Sequence, residues 1–312
     1  MLTVTLKRVL AAVPTILGVS VVIFLILRLV PGDPVQAMLA GSPATPERIA
    51  ELREQFGLER PVLVQYVDFL AAALTGDLGT SFTTRQPVAG MIAEQFLPTL
   101  QLALAATVFT AVAGIVCGTL AAAFPNTPLD GAIRVFSLLG TSMPSFWIGL
   151  MLIMLVSFQL QLLPATGTEG IERLILPALA LGLSSAGVVT RLVRNNMLEV
   201  MGESFVSALH AKGMSRRTVL FRHVLRNAVL PTITIVGLQI GALLAGAVIV
   251  ETVFARQGLG HLLTRAVASN DYPVIQGIVL VIAVAYIVIN IVVDVSYAYV
   301  DPRIRSTITA TR

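Results

Sequence analysis

Residues 229–250 have the sequence VLPTITIVGLQIGALLAGAVIV, a run of 22 residues without a charged side chain. A helix needs about 20 apolar residues to cross the hydrocarbon core of a bilayer. The whole chain has this character, because 56% of its 312 residues are hydrophobic and 12% are charged. That charged fraction is roughly half of what a soluble domain carries. The sequence therefore predicts a helix inside a membrane.

Similar runs, free or nearly free of charge, recur along the chain. They cover residues 9–30, 99–124, 135–162, 174–193, 229–250 and 273–297. We expect an all-α integral membrane protein with six transmembrane helices. Pro98, Pro177 and Pro231 each stand at the start of a run, where a missing N–H has no cost, so we expect helix starts there. Pro144 lies well inside the third run, and we expect it to kink that helix.

The charge distribution orients these helices. Residues 191–227 carry seven basic and two acidic side chains, a net charge of +5. The positive-inside rule places this segment in the cytoplasm. Six spans then put both termini in the cytoplasm, in agreement with the basic residues near the two ends: Lys7, Arg8, Arg303, Arg305 and Arg312.

The chain divides into four parts on this reading. Residues 1–30 form an N-terminal segment with the first transmembrane helix, and residues 31–97 form an extracytoplasmic loop. Residues 98–298 hold the other five helices and a cytoplasmic loop at 194–228, and residues 299–312 form a cytoplasmic tail. We expect the extracytoplasmic loop to be folded polar structure, with a short amphipathic helix in PERIAELREQFGL, residues 46–58.

The cytoplasmic loop 194–228 predicts two short helices that meet at Gly213. Apolar residues recur every four positions in its first half, at Met197, Met201, Phe205 and Leu209. Glycine readily takes the left-handed conformation that ends a helix, and Ser215 can cap the next helix. The alternatives are a basic loop that only fixes topology and a loop that binds anionic lipid. Recognition of nucleic acid is not expected, because no aromatic residues are interleaved with the basic ones.

Motifs for nucleotide hydrolysis and metal binding are absent from the sequence. It contains no GxxxxGK[ST] phosphate loop, so any ATP chemistry belongs to another subunit. It has one cysteine, Cys117, isolated histidines and no HExxH or CxxC, so we expect no metal site. An intramembrane hydrolase built on Ser142 and His261 is one rival hypothesis. An ion-coupled carrier is another, although the chain lacks the mid-membrane acidic residues that proton-coupled carriers use.

Two polar residues, Gln239 and Asn290, lie deep in the predicted spans. Hydrogen bonding between helices is the usual role of such residues. Lining of a pore is the alternative for both.

Residues 207–231, SALHAKGMSRRTVLFRHVLRNAVLP, resemble the cytoplasmic coupling loop of ABC importer permeases, in the form found in the oligopeptide, dipeptide and nickel branch. Motifs similar to that branch occur in the same order over nearly the whole chain: VPGDP, FGLERPVLVQY, GDLGTSF, AKGMS, RHVLRNAVLP, QGLGHLLTRAV, DYPVIQG and YAYVDPRIR. The resemblance assigns contact with the ATPase to Ser207, Ala208, Leu209, Lys212, Gly213, Ser215 and Arg216. Ser207 departs from the family pattern, which has glutamate there.

The resemblance implies the type I ABC importer permease fold and a pore-forming subunit of an ATP-driven importer in a bacterial or archaeal plasma membrane. The implied partners are a second homologous permease, two cytoplasmic ATPase subunits and an extracytoplasmic substrate-binding protein. No cofactor is expected in this chain, because the ATPases use the ATP. The cargo stays open among a dipeptide, an oligopeptide, glutathione, a nickel chelate and a sugar, since selectivity in this family lies largely in the binding protein.

Overall fold

The computed structural model describes residues 2–29, 35, 45–55 and 59–300, and these residues are mainly helical. The helices are α1 (Leu2–Leu29), α2 (Pro46–Gln55), α3 (Val62–Leu74), α4 (Val88–Ala123), α5 (Pro128–Ser142), α6 (Ser145–Gln159), α7 (Glu172–Met201), α8 (Ser204–Ala211), α9 (Arg216–Val253), α10 (Leu259–Ala268) and α11 (Tyr272–Val300). The VPGDP motif at 30–34 and the basic residues Arg303, Arg305 and Arg312 of the predicted tail lie outside the described residues.

Five of the six predicted transmembrane runs fall on one helix each, and the third falls on the pair α5 and α6. Among the described residues, α4, α7, α9 and α11 are long and apolar enough to cross a membrane, and α5 with α6 gives a fifth span when this bent pair is counted as one. α1 has 28 residues, and its apolar stretch over the described side chains is Leu10–Leu25. The predicted all-α membrane fold is confirmed.

The helix starts predicted at three prolines are wrong. Pro98 lies inside α4, Pro177 inside α7 and Pro231 inside α9. The length of an apolar run reflects the thickness of the hydrocarbon core, whereas the helix itself extends beyond that core into the interfaces with its internal hydrogen bonds intact. The helices therefore begin before the runs that predicted them.

The kink expected at Pro144 is a complete break. α5 ends at Ser142, α6 begins at Ser145, and the pair is bent by 111°. Met143 is extended, with ψ of 134°, as is favoured for a residue before proline. The third predicted span is therefore two helices in place of one kinked helix.

The described residues fold into two compact units. The first takes its residues from Met1–Thr99 and Gln257–Val288, and the second from Leu100–Arg256 and Ile289–Arg312. The core of the first unit contains the buried residues Ile23, Val88, Ile92, Leu259, Ala266, Val274, Ile275 and Ile278. The largest core of the second unit contains Leu102, Ala106, Ile148, Leu176, Ala178, Ala180, Leu181, Leu243, Ala247, Val250 and Phe254. The four-part division of the chain stays a prediction.

In the first unit, two of the motifs that carried the resemblance contact each other. The buried Asp271 carboxylate accepts a hydrogen bond from the Ser81 hydroxyl at 2.6 Å and from the N–H groups of Phe82 at 3.0 Å and Thr83 at 3.2 Å. The rings of Phe82 and Tyr272 meet edge to face at 6.5 Å. These contacts join GDLGTSF to DYPVIQG at the beginning of α11.

In the second unit, α4 and α7 approach closely at glycines. Gly114 and Gly118 stand four residues apart on α4, a spacing that lets membrane helices pack backbone to backbone. A Cβ at Gly118 would lie 2.7 Å from the carbonyl oxygen of Thr190 on α7. The Thr110 hydroxyl adds a hydrogen bond of 3.0 Å to the Gly182 carbonyl across the same pair of helices.

Candidate functional site

The loop 194–228 begins as a continuation of α7, which runs to Met201. Glu203 is extended, with ψ of 149°, and α8 follows it. The single helix predicted across Met197 to Leu209 is therefore wrong, because the chain breaks at Gly202 and Glu203. The predicted apolar stripe persists across the break. Met197 is buried, and Met201, Phe205 and Leu209 pack against the same apolar cluster.

The corner after α8 is a left-handed turn at Gly213, where φ is 80°. The Gly213 N–H donates to the His210 carbonyl at 2.9 Å, and the Met214 N–H donates to the Leu209 carbonyl at 3.2 Å. This pair of bonds is the Schellman motif of helix ends. The side chains of Leu209 and Met214 complete it by packing against one apolar cluster. The left-handed conformation predicted for Gly213 is confirmed.

The next helix begins with Ser215 as its N-cap. The Ser215 hydroxyl accepts a hydrogen bond from the Thr218 N–H at 3.3 Å and lies 2.9 Å from the Thr218 hydroxyl. The predicted cap is confirmed. From Arg216 the chain stays helical to Val253, through a π-helical turn at Val219–Val224. The second helix of the loop is therefore continuous with a membrane helix.

An apolar cluster joins the loop to the ends of the membrane helices. Its buried members are Ala122 and Ala123 of α4, Val189, Val193 and Met197 of α7, Val206 of α8, and Val219, Leu220, Val224 and Ala228 of α9. Complete burial of a side chain the size of valine contributes about 1.5–3 kcal/mol. Residues 194–228 are thus a packed body, which we call the knob.

A buried ion pair fixes the base of the knob. Arg194 donates from Nε to Asp130 Oδ1 at 2.7 Å and from Nη2 to Oδ2 at 2.9 Å, and Asp130 is fully buried. Pairs of this bidentate form are strong and directional. The pair joins the first turn of α5 to α7. It places the short connection 125–131 on the same side of the membrane as the basic loop, a position that charge alone did not indicate.

Two further hydrogen bonds hold the knob to the helices around it. Arg216 Nη2 donates to the carbonyl of Ala123, the last residue of α4, at 3.0 Å. Carbonyls in the last turn of a helix lack partners within the helix, and a positive charge is favourable there. Asn196 Nδ2 donates to the Ala228 carbonyl at 3.2 Å and so joins α7 to α9.

The predicted ATPase-contact residues lie on α8, at the corner and at the start of α9, which we call the tip of the knob, and Arg216 also reaches from there to the end of α4. Those with exposed side chains or backbone are Ser207, Ala208, Lys212, Gly213, Ser215 and Arg216. Leu209 differs, because it is half-buried and packs against the apolar cluster. Sequence reasoning missed Asp130 and Asn196. Asp130 could have been identified as a partner for one of the arginines of the loop, because it is the acidic residue of the short connection 125–131.

The two deep polar residues differ in their surroundings. Gln239 Oε1 accepts a hydrogen bond from the Ser185 hydroxyl at 3.0 Å, so it joins α9 to α7, the usual role of such a residue. Asn290 is half-buried on α11. Among the described residues, Asn290 Oδ1 is buried and has no hydrogen-bond partner.

At the other end of α9, the connection that follows α6 is held by a buried arginine. Arg256 and Glu251 are both buried, and Arg256 Nη1 donates to the Thr168 carbonyl at 3.1 Å. Burial lowers the pKa of the Arg256 guanidinium below its ordinary value, and the Glu251 carboxylate opposes that effect. The Gly167 N–H also donates to the Phe254 carbonyl at 3.3 Å. The 163–171 connection is thus fixed to the end of α9.

The part of the chain that the structure describes contains no group of three or more His, Cys, Asp or Glu side chains arranged to hold a metal ion.

Comparison with known proteins gives consistent matches over the length of the chain. Residues 114–306 match the family described as binding-protein-dependent transport system inner membrane component, and residues 1–103 match the N-terminal family of such membrane components. The glutathione transport system permease protein GsiC of Salmonella choleraesuis (strain SC-B67) is 41% identical over 305 residues, 98% of this chain and 99% of the relative. GsiC of Escherichia coli (strain K12) is 40% identical over the same shares.

Solved structures are similar at lower identity. A chain of the MetNI methionine ABC transporter in an inward-facing conformation aligns with a TM-score of 0.57 and 17% identity, over 68% of this chain and 96% of that chain. A chain of an amino acid ABC transporter with histidines aligns with a TM-score of 0.50 and 16% identity, over 69% of this chain and 94% of that chain. At these identities the similarity concerns the fold alone.

Proposed function

Since the chain belongs to the family of binding-protein-dependent transport system inner membrane components, we propose that its knob, residues 194–228, receives the movement of partner ATPases and passes it to the membrane helices. The protein is a pore-forming permease subunit of an ATP-driven importer, with the all-α fold of type I ABC importer permeases, and it is a multi-pass inner-membrane protein. Its relatives are transport permeases, which implies that the chain has no catalytic activity of its own.

The observation that carries the proposal is the combination of an exposed tip and a packed base in the knob. The tip exposes Ser207, Lys212 and Ser215, whereas the base contains the apolar cluster and the Asp130–Arg194 ion pair. A rigid body docked into a moving partner converts one rigid-body motion into another. A loop that only fixed topology would need its charge but not this packing.

The partners follow from the same proposal. A transport cycle driven by ATP needs separate ATPase subunits, because this sequence has no phosphate loop, and we take their number to be two. A second homologous permease completes the pore, and an extracytoplasmic binding protein delivers the cargo. We take the cargo to be a short peptide, with glutathione the first compound to test, because the relatives that match nearly the whole chain are glutathione permeases.

Asn290 is the stronger of the two candidates for pore lining. Gln239 already receives a hydrogen bond from Ser185, whereas Asn290 Oδ1 has no partner among the described residues. A pore formed with a second permease would supply Asn290 with water or cargo as a partner.

Cross-linking from the tip tests the coupling role. Cysteines at Ser207 and Ser215, in a Cys117→Ala background, should each form a cross-link to the ATPase in the purified complex. A cysteine at Thr166, an exposed residue of the 163–171 connection, is the matched control and should form none. The same complex in proteoliposomes should move glutathione or a short peptide only when ATP is present on the cytoplasmic side.

Two results would contradict the proposal. If neither tip position formed a cross-link in a complex that still transports, the knob would be a basic loop that only fixes topology. Uptake on an ion gradient without ATP would favour an ion-coupled carrier instead.

A further inference from the structure

The helix α3 (Val62–Leu74) was not expected from the sequence, which indicated folded polar structure between residues 31 and 97. None of the 13 residues of α3 is fully buried, although the helix is apolar over most of its length. Leu63, Val67 and Leu74 have 77%, 54% and 89% of their surface exposed. An apolar helix that the described residues leave uncovered needs an apolar environment beyond them.

One face of α3 is docked on the first membrane helix. The Tyr66 ring meets the Phe24 ring edge to face at 5.2 Å, and the Phe69 ring stacks on Phe24 at 6.0 Å. The Tyr66 hydroxyl lies 2.9 Å from the Ser20 hydroxyl, within hydrogen-bond distance. Both contact residues of α1 belong to its apolar stretch Leu10–Leu25, so α3 lies beside the part of α1 that is in the membrane.

The depth of this contact places α3 in the outer half of the bilayer. Phe24, the residue that both α3 rings contact, lies five residues before the end of α1 at Leu29, about 8 Å along the helix axis, and the Tyr66 hydroxyl reaches deeper to Ser20. Half of the hydrocarbon core is about 15 Å thick. With 13 residues, α3 is about 20 Å long and too short to cross the core. It can lie along the interface but cannot span the membrane.

The remaining surface of α3 has two faces of opposite character. Leu63, Val67, Leu70 and Leu74 follow the spacing i, i+4, i+7, i+11, which puts them on one side of a helix. Gln65 and Asp68 lie on the other side. Gln65 Nε2 donates to the Arg60 carbonyl at 2.7 Å, and Arg60 Nη1 donates to Asp68 Oδ2 at 3.1 Å. The polar side is thus joined to the chain before α3, whereas Leu63, Val67 and Leu74 of the apolar stripe are exposed and Leu70 is half-buried.

We infer that α3 is an interfacial helix of the outer leaflet, with the stripe Leu63, Val67, Leu70 and Leu74 inserted among lipid acyl chains. An amphipathic helix at an interface buries its apolar face about 5–10 Å below the headgroup boundary and keeps its polar face in water. Leu17, Val21 and Leu25, on the apolar stretch of α1 that carries the α3 contact, are exposed apolar residues as well, and they need the same apolar environment. The occupant of the stripe is lipid, and α3 holds the outer segment of the permease at the membrane surface.

Nitroxide labels on α3 test this inference in the assembled importer, reconstituted in vesicles of phosphatidylethanolamine and phosphatidylglycerol. Cysteines replace Leu63, Val67 and Leu74 one at a time in a Cys117→Ala background, with Asp68→Cys as the matched control on the polar face. Labels at 63, 67 and 74 should collide with oxygen several-fold more often, relative to a water-soluble nickel chelate, than the label at 68.

The other outcomes overturn the inference. Equal access of the nickel chelate to positions 63, 67 and 68 would mean that the stripe faces water. Low access of both reagents at 63 and 67 would mean that protein covers the stripe, either the second permease or the binding protein. Leu74 is the most exposed of the three, so its variant keeps the test valid if one of the others fails to assemble.

Discussion

Replacement of Gly213 by valine tests the proposed role of the knob at a single position. Gly213 has φ of 80°, in the left-handed region that L-residues avoid at a cost of about 1–2 kcal/mol. A Cβ at this position would meet no atom within 4 Å, so the effect of the substitution comes from the backbone and not from a clash. The Gly213→Asn variant is the matched control, because asparagine visits this region routinely.

The size of the effect follows from this strain. If valine moves the free corner out of the left-handed region and the ATPase docks only on the left-handed corner, docking must restore that conformation. The cost of about 1–2 kcal/mol corresponds to a factor of about 5–30 in affinity. We expect the affinity of the purified ATPase for the Gly213→Val permease to fall by that factor, and the Gly213→Asn variant to stay close to the wild type. The membrane helices keep their packing, because neither bond of the corner belongs to them.

The assay is a titration of the ATPase onto the permease in lipid nanodiscs, followed by ATP hydrolysis with and without loaded binding protein. Stimulated hydrolysis should fall together with affinity in the valine variant. If the valine and asparagine variants bound the ATPase equally tightly and both transported at the wild-type rate, the corner would not be part of the docking surface.

Three further results are expected. Asp130→Ala leaves the mostly buried Arg194 guanidinium without its carboxylate and should lower stability by about 3–5 kcal/mol. Arg134 is an exposed residue 3.7 Å from the same carboxylate, so Arg134→Gln should cost under about 1 kcal/mol. Equal thermal midpoints for the two variants would contradict this prediction. Gly118→Ala puts a methyl group 2.7 Å from the Thr190 carbonyl oxygen, and the overpacking should lower stability by about 1–3 kcal/mol and so lower the thermal midpoint. Gly131 is in open space, so Gly131→Ala should leave the thermal midpoint unchanged or raise it. In intact cells an impermeant maleimide should label a cysteine at Ser269 but not one at Ser215, and the reverse result would invert the topology.

The membrane helices could be predicted from the sequence because their signal is one of composition. A run without charge is required wherever a helix crosses lipid. Five of the runs fall on one helix each, and the third falls on the bent pair α5 and α6. Their bounds could not be predicted in the same way. Lipid requires apolar side chains only in the core, so α4 begins at Val88, before the polar residues Glu94 and Gln95 that interrupt the apolar sequence.

The local structure of the knob could be predicted where one residue type determines one conformation. Gly213 and Ser215 have such roles at the end and the beginning of a helix. The break at Gly202 and Glu203 was missed, because the apolar spacing continues across it and Glu203 has no marked preference for an extended backbone. Tertiary packing on the apolar cluster, not local propensity, selects that break.

Helix α3 was missed for a different reason. Its stripe is regular, but the aromatic residues Tyr66 and Phe69 lie on another face and Asp68 interrupts the sequence, so the segment resembles neither a span nor a soluble amphipathic helix. Its assignment depends on the contact with Ser20 and Phe24, residues more than 40 positions away in sequence.

The polar contacts at the base of the knob explain how a push at its tip would reach the membrane helices. Arg194 joins α7 to α5, and Asn196 joins α7 to α9. Arg216, at the start of α9, holds the last carbonyl of α4. Each bond links a different pair of helices, so tilting of the knob would displace α4, α5, α7 and α9 together. Under the proposed coupling, loss of the Arg216 bond should therefore uncouple ATP hydrolysis from transport before it unfolds the protein, and Arg216→Ala is the variant in which to measure this. The bond is at the exposed rim of the knob, and its net contribution is about 1 kcal/mol, so the complex should assemble while transport per ATP hydrolysed falls. An Arg216→Ala complex that kept the wild-type ratio would show that the apolar cluster alone transmits the movement.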